Sequence, residues 1–130
     1  MRISVMIAAG AALLAACGAQ AAMKTPQERL AKALEGRVAG KPVDCINLRD
    51  IRSSEIIDRT AIIYTVGRTL YLNTPESGAA FLNRGDILVT DTRSPQLCSI
   101  DVVRLVNSPS NMNSGSVGLG KFVPYTKPAG

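Results

Sequence analysis

The sequence predicts a mainly β domain of α+β type, a small antiparallel sandwich or barrel with one short helix ahead of it. Three observations carry this expectation. The 130-residue chain holds three Tyr, two Phe and no Trp, so its core must come mainly from Ile, Val and Leu, side chains that fit a pleated sheet. From Gly40 onward the apolar residues recur with a period of two in short segments, the repeat of half-buried strands. The turn signals Asn73-Thr74-Pro75, Arg93-Ser94-Pro95 and Ser108-Pro109-Ser110 divide those segments at near-regular spacing, as in small all-β folds.

The first element is not part of that domain. Arg2 supplies a positive charge, Ile3 to Ala16 a mostly apolar stretch, and Leu14-Ala15-Ala16-Cys17 a box of mainly small residues closed by cysteine. This is the layout of a secretory signal. It resembles a bacterial lipoprotein signal, which implies residues 1–16 as signal peptide, lipidation at Cys17, and 17–23 as a tether. The run is too short for a transmembrane helix, which needs about 20 apolar residues. Ala19-Gln20-Ala21 offers an ordinary cleavage site a few residues later, and that alternative would leave the protein soluble in the periplasm. Several acyl chains on Cys17 would hold the protein stably on a membrane, since two lipid signals already suffice. By the same resemblance, Gly18 in place of Asp directs the protein to the outer membrane, facing the periplasm.

A helix is expected within residues 24–37. Thr25 can cap it, Pro26 suits its first position, and Glu28 completes a capping box. Leu30, Ala33 and Leu34 repeat at helical spacing, Glu28 and Lys32 form an i,i+4 pair, and Gly36 is placed to end the element. Lys24, Arg29, Lys32, Arg37 and Lys41 lie close to the anchor. They would be within reach of a membrane surface, although a solvated face accounts for them more simply.

Residues 40–127 are expected to form one β domain. Thr60 to Val66 and Thr69 to Asn73 flank Gly67-Arg68, and glycine first in a two-residue loop is the requirement of a type II′ hairpin. That register sets Tyr64 opposite Tyr71 and Val66 opposite Thr69. Further strands are expected at Cys45 to Ile51, Glu55 to Ile57, Asp86 to Thr90, Cys98 to Val106 and Val117 to Tyr125, with Asn107 to Gly115 as a polar loop. About 110 residues follow Cys17, room for one modest domain. The formal charge of +5 favours solubility and adsorption to anionic lipid or polysaccharide.

Three cysteines are an odd number for an exported chain. With Cys17 lipidated, Cys45 and Cys98 remain as a pair in an oxidising compartment, where a disulfide is the expected fate. It would stabilise the fold by about 4 kcal/mol in the chain-entropy account.

Cys45-Ile46, Ile51-Arg52-Ser53, Ile57-Asp58, Tyr64, Gly67, Tyr71-Leu72-Asn73, Leu97-Cys98, Asp101 and Phe122 form a further pattern. From about Gly40 to Lys127 the chain resembles a family of small exported proteins and lipoproteins of Gram-negative bacteria built on a domain of unknown function. The resemblance implies a kind of protein and a compartment, and no reaction.

The sequence argues against most chemistry. It contains no histidine, which removes Ser-His and Cys-His nucleophile pairs and most zinc or copper sites. No Cys-x-x-Cys or Ser-x-x-Lys occurs. No metal or other cofactor is therefore expected. Gly115 to Lys121 has the glycine and lysine spacing of a phosphate loop, but Phe122 stands where Ser or Thr must ligate magnesium, and Val123-Pro124-Tyr125 cannot open a helix. No nucleotide is expected. The glycines there suit bulges or tight crossings. Nucleic acid is not an expected partner, since the arginines are scattered and aromatics few.

Two classes of function remain. The first is a non-catalytic envelope module, structural or binding another envelope protein or a glycan. Arg52-Ser53-Ser54 and Thr90-Asp91-Thr92-Arg93 are its polar clusters, with Arg52, Ser53, Asp91 and Arg93 as contact candidates, although edge and turn chemistry also explains them. The second is a carboxylate-dependent glycan hydrolase that pairs two of Asp58, Asp91 and Asp101 across a cleft.

Overall fold

The computed structural model describes residues 24–129. The signal peptide at 1–16, the lipidation site Cys17 and the tether at 17–23 lie outside them. The domain is mainly β, as expected; among the described residues there are one α-helix and three antiparallel sheets, which form an open sandwich and not a closed barrel.

Helix α1 spans Pro26–Ala33. Its capping box is complete: the Thr25 hydroxyl accepts the Glu28 N–H at 3.1 Å, and the Glu28 carboxylate accepts the Thr25 N–H at 2.9 Å. Those bonds hold the Glu28 carboxyl below the usual carboxylate range. The helix is shorter than the 24–37 segment, because Leu34 caps it and the chain turns through Gly36 at φ 78°.

Strands follow as β1 (Val38–Ala39), β2 (Cys45–Asn47), β3 (Ile51–Ile57), β4 (Ala61–Val66), β5 (Thr69–Asn73), β6 (Asp86–Thr90), β7 (Gln96–Cys98), β8 (Val102–Asn107), β9 (Asn113–Gly118) and β10 (Phe122–Thr126). The main sheet runs β1-β10-β5-β4-β3, the second sheet β6-β8-β9, and a two-stranded ribbon pairs β2 with β7. The β4–β5 hairpin keeps the register set by its turn, with Tyr64 opposite Tyr71 and Val66 opposite Thr69. Gly67 takes φ 59° and Arg68 does not turn positive, as a type II′ turn demands.

Between the two larger sheets lies the core. Ile56, Ile62, Tyr64 and Phe122 from the main sheet meet Val103, Leu105 and Val117 from the second, while Ile46 and Leu97 of the ribbon join the same cluster. Strand β4 is buried on both faces, which is why Ala61, Ile62, Ile63 and Tyr64 form a continuous buried run. Alternation places Ile57, Ala61 and Ile63 on the face away from the core. Helix α1 lies against β3 on this side. After it, Arg37 anchors the chain at the opposite edge by donating to the Arg68 and Tyr125 carbonyls at 2.9 and 3.2 Å.

Tyr64 packs edge-on to Phe122, with ring centroids 5.9 Å apart. Its hydroxyl is buried without a hydrogen-bond partner, and burial pushes its pKa up from 10.0. Tyr64→Phe is therefore expected to stabilise the domain by about 1 kcal/mol at neutral pH, because it removes an unsatisfied polar group. The raised pKa means the fold resists ionisation that the unfolded chain accepts, so stability attributable to Tyr64 is present below pH 10.0 and falls above it. Urea melts of wild type and variant at pH 8 and pH 11 would show the advantage of Phe growing with pH.

Several segments differ from expectation for physical reasons. The segment Cys45 to Ile51 is interrupted at Leu48–Asp50 by a 3₁₀ turn, where the Leu48 N–H is drawn to the Pro95 carbonyl at 3.0 Å. The strand expected at Glu55 starts at Ile51; its polar half is exposed on a sheet edge and carries a bulge between Ile51 and Ser53, which erases the alternation. Cys98 to Val106 breaks at Ser99–Asp101, a turn closed by the Asp101 carboxylate accepting the Cys98 N–H at 2.7 Å. The expected loop from Asn107 to Gly115 is a tight turn, with Asn111 at φ 57°, followed by β9. Val117 to Tyr125 divides between β9 and β10, which belong to different sheets.

Candidate functional site

Arg52 and Ser53 sit at the bulged start of β3, and Asp91 and Arg93 in the β6–β7 loop; all four are exposed. No side-chain hydrogen bond or salt bridge joins any of them among the described residues, and they line none of the grooves described below. The loop is organised by its own turn chemistry: the Thr92 hydroxyl donates to the Ser94 carbonyl at 2.8 Å, and the Ser94 hydroxyl accepts the Gln96 N–H at 3.0 Å.

The aspartates of the hydrolase reading lie in separate places, and two of them are engaged. Asp58, in the β3–β4 turn, accepts the Arg84 N–H at 2.7 Å and faces the Arg84 guanidinium at 4.0 Å. Asp101 closes the β7–β8 turn beside the Cys45–Cys98 disulfide, whose two cysteines stand directly opposite on β2 and β7. Asp91 is exposed. No group of three or more His, Cys, Asp or Glu is placed to hold a metal ion among the described residues.

The Gly115 to Lys121 segment serves packing. It runs through the end of β9 and no helix follows it. A side chain at Gly115 would collide with the Phe81 ring, and one at Gly120 with the Thr74 carbonyl. Gly120 also exchanges two hydrogen bonds with the buried Asn73 side chain, at 2.7 and 2.9 Å.

One concavity is a feature the sequence did not single out. A groove of about 680 Å³ lies between α1 and the β3–β4 turn, lined by Lys24, Arg29, Lys32, Arg59 and Arg84 with Glu55 and Asp58. Five cationic side chains thus face two carboxylates. Arg29 and Lys32 come from the helix and Lys24 from the residue before its cap, a segment the sequence does show; Arg59 and Arg84 come from distant turns. Contact between those turns is fixed by the Arg59 N–H donating to the Leu82 carbonyl at 3.0 Å and by Asp58 holding Arg84. A second groove, of about 390 Å³, continues from the first past Arg29, Glu55 and Arg84 into the gap between β3 and β6, the edge strands that leave the sandwich open.

No protein-family model, curated protein or solved structure matches this chain.

Proposed function

We propose that the protein is a non-catalytic envelope module, lipid-anchored through Cys17 to the outer membrane and facing the periplasm, that binds an anionic envelope component in the groove between α1 and the β3–β4 turn. The groove's excess of five cations over two carboxylates carries this reading. Opposite charge gathered in a concavity raises local ligand concentration and association rate. Position supports it too: Lys24 at the groove's lip lies at most about 25 Å of extended chain from Cys17, so an anchored module would hold the groove within reach of the envelope surface. The use of Asp58 and Asp101 to hold backbone N–H groups favours a binding role over paired-carboxylate hydrolysis.

The test is adsorption of the detergent-solubilised full chain to envelope vesicles from cells lacking it. Arg29→Glu with Lys32→Glu is expected to weaken adsorption more than tenfold with an unchanged melting temperature, since each nearby basic residue contributes about 1 kcal/mol at an anionic surface. Unaltered adsorption by this variant would contradict the role of the groove. The anchor is checked separately by fatty-acid labelling of wild type and Cys17→Ser; label on both proteins, or on neither, would contradict lipidation.

A further inference from the structure

We propose that the groove is built for one phosphate group carried on a hydroxyl-rich body, a phosphorylated sugar. This rests on the anion-binding reading above and narrows it. Asp58 pairs with Arg84, whereas Lys24, Arg29, Lys32 and Arg59 take part in no salt bridge among the described residues. Two of those four are arginines, whose planar fork matches phosphate oxygens in a bidentate fashion.

Arg59 carries the more specific signal. It adopts φ 53° in the β3–β4 turn, a left-handed conformation that costs a residue with a side chain and suits glycine. The surrounding bonds enforce it: Arg59 N–H to the Leu82 carbonyl at 3.0 Å, Thr60 N–H to the Ile57 carbonyl at 3.0 Å, and the Thr60 hydroxyl to the Asp58 carbonyl at 2.8 Å. A long cation is thus held on the groove's lip at a position where glycine would relax the backbone. Such strain, imposed by its surroundings, is characteristic of binding sites.

Glu55 sets the rest of the ligand. Its carboxylate lines both grooves and takes part in no side-chain hydrogen bond or salt bridge among the described residues. It would repel a densely charged polyanion and can accept hydrogen bonds from hydroxyls. The volume of about 680 Å³ falls in the range of sites that enclose a small molecule, with room for more than a bare phosphate. A glycolipid headgroup and a soluble sugar phosphate share this chemistry.

Calorimetry on the full chain in detergent tests it with glucose 1-phosphate, glucuronate and inorganic phosphate. The expected result is at least tenfold preference for glucose 1-phosphate over glucuronate. Arg59→Gly should weaken glucose 1-phosphate binding at least tenfold without lowering the melting temperature, because glycine accepts the turn. Glu55→Gln should weaken glucose 1-phosphate and strengthen inorganic phosphate, while Lys121→Gln, which removes one positive charge outside the groove as Arg59→Gly does within it, should leave the affinity for both unchanged. Phosphatidylcholine vesicles doped with a phosphorylated glycolipid supply the second arm: tighter capture than of glucose 1-phosphate assigns the lipid as source, and weaker capture the soluble sugar, either supporting the proposal. Equal affinity for glucuronate and glucose 1-phosphate would overturn the phosphate assignment and leave the anion-binding reading standing. Failure to bind any of these probes, vesicles included, would overturn the phosphorylated-sugar proposal; loss of adsorption to envelope vesicles as well would overturn both.

Discussion

Replacing Cys45 and Cys98 together with Ala is expected to lower the unfolding free energy by about 4 kcal/mol, a large share of the stability of a small domain. The bond closes a loop spanning 53 residues, and in the chain-entropy account it acts by restricting the unfolded chain. Its position adds a local effect. It ties β2 to β7, and this ribbon contributes Ile46 and Leu97, 5 % and 0 % exposed, to the end of the core. Urea denaturation of wild type with and without reductant, beside the double variant, checks the expectation. The reduced wild type and the variant should share one lowered midpoint; coincidence of all three curves would show that the bond contributes nothing.

Asn73→Ala should cost about 3 kcal/mol by a different route. Asn73 is fully buried on β5. Its amide donates to the Gly120 carbonyl at 2.7 Å and accepts the Gly120 N–H at 2.9 Å. Two buried backbone groups lose their partner at once, each at a cost of about 1–3 kcal/mol. Gly120 lies between β9 and β10, so the substitution should loosen the link between the two sheets. Denaturation reads the stability change, and faster hydrogen exchange at Gly120 than elsewhere in the core locates it.

Local physics made parts of this fold legible. The Thr25 capping box, the Gly67 turn with its Tyr64–Tyr71 register, and β6 at Asp86–Thr90 each depend on residues close in sequence. The exposed start of β3 was not legible, because Arg52-Ser53-Ser54-Glu55 is an edge with a bulge and shows no apolar period. Strand β9 was hidden in a polar stretch; it is a sheet edge, and its Ser114 hydroxyl bonds the Asp86 carboxylate and the Leu105 carbonyl. The sites fared likewise. The paired cysteines could be counted, and they stand bonded. Arg52, Ser53, Asp91 and Arg93 attracted notice as polar clusters, yet they form no joint feature. The basic groove needed tertiary contact, since Arg59 and Arg84 reach α1 only because Leu82 and Asp58 lock two turns together.

The proposed binding role requires that a partner occupy the groove in the envelope of intact cells. A photoreactive residue at Ala33, which lines that groove, tests it most directly, with the same residue at Lys121 as the control on another surface. Crosslinking in intact cells should yield an adduct from position 33 that position 121 lacks, and Arg59→Gly should abolish it. The same adduct from both positions, or none from position 33, would contradict the account.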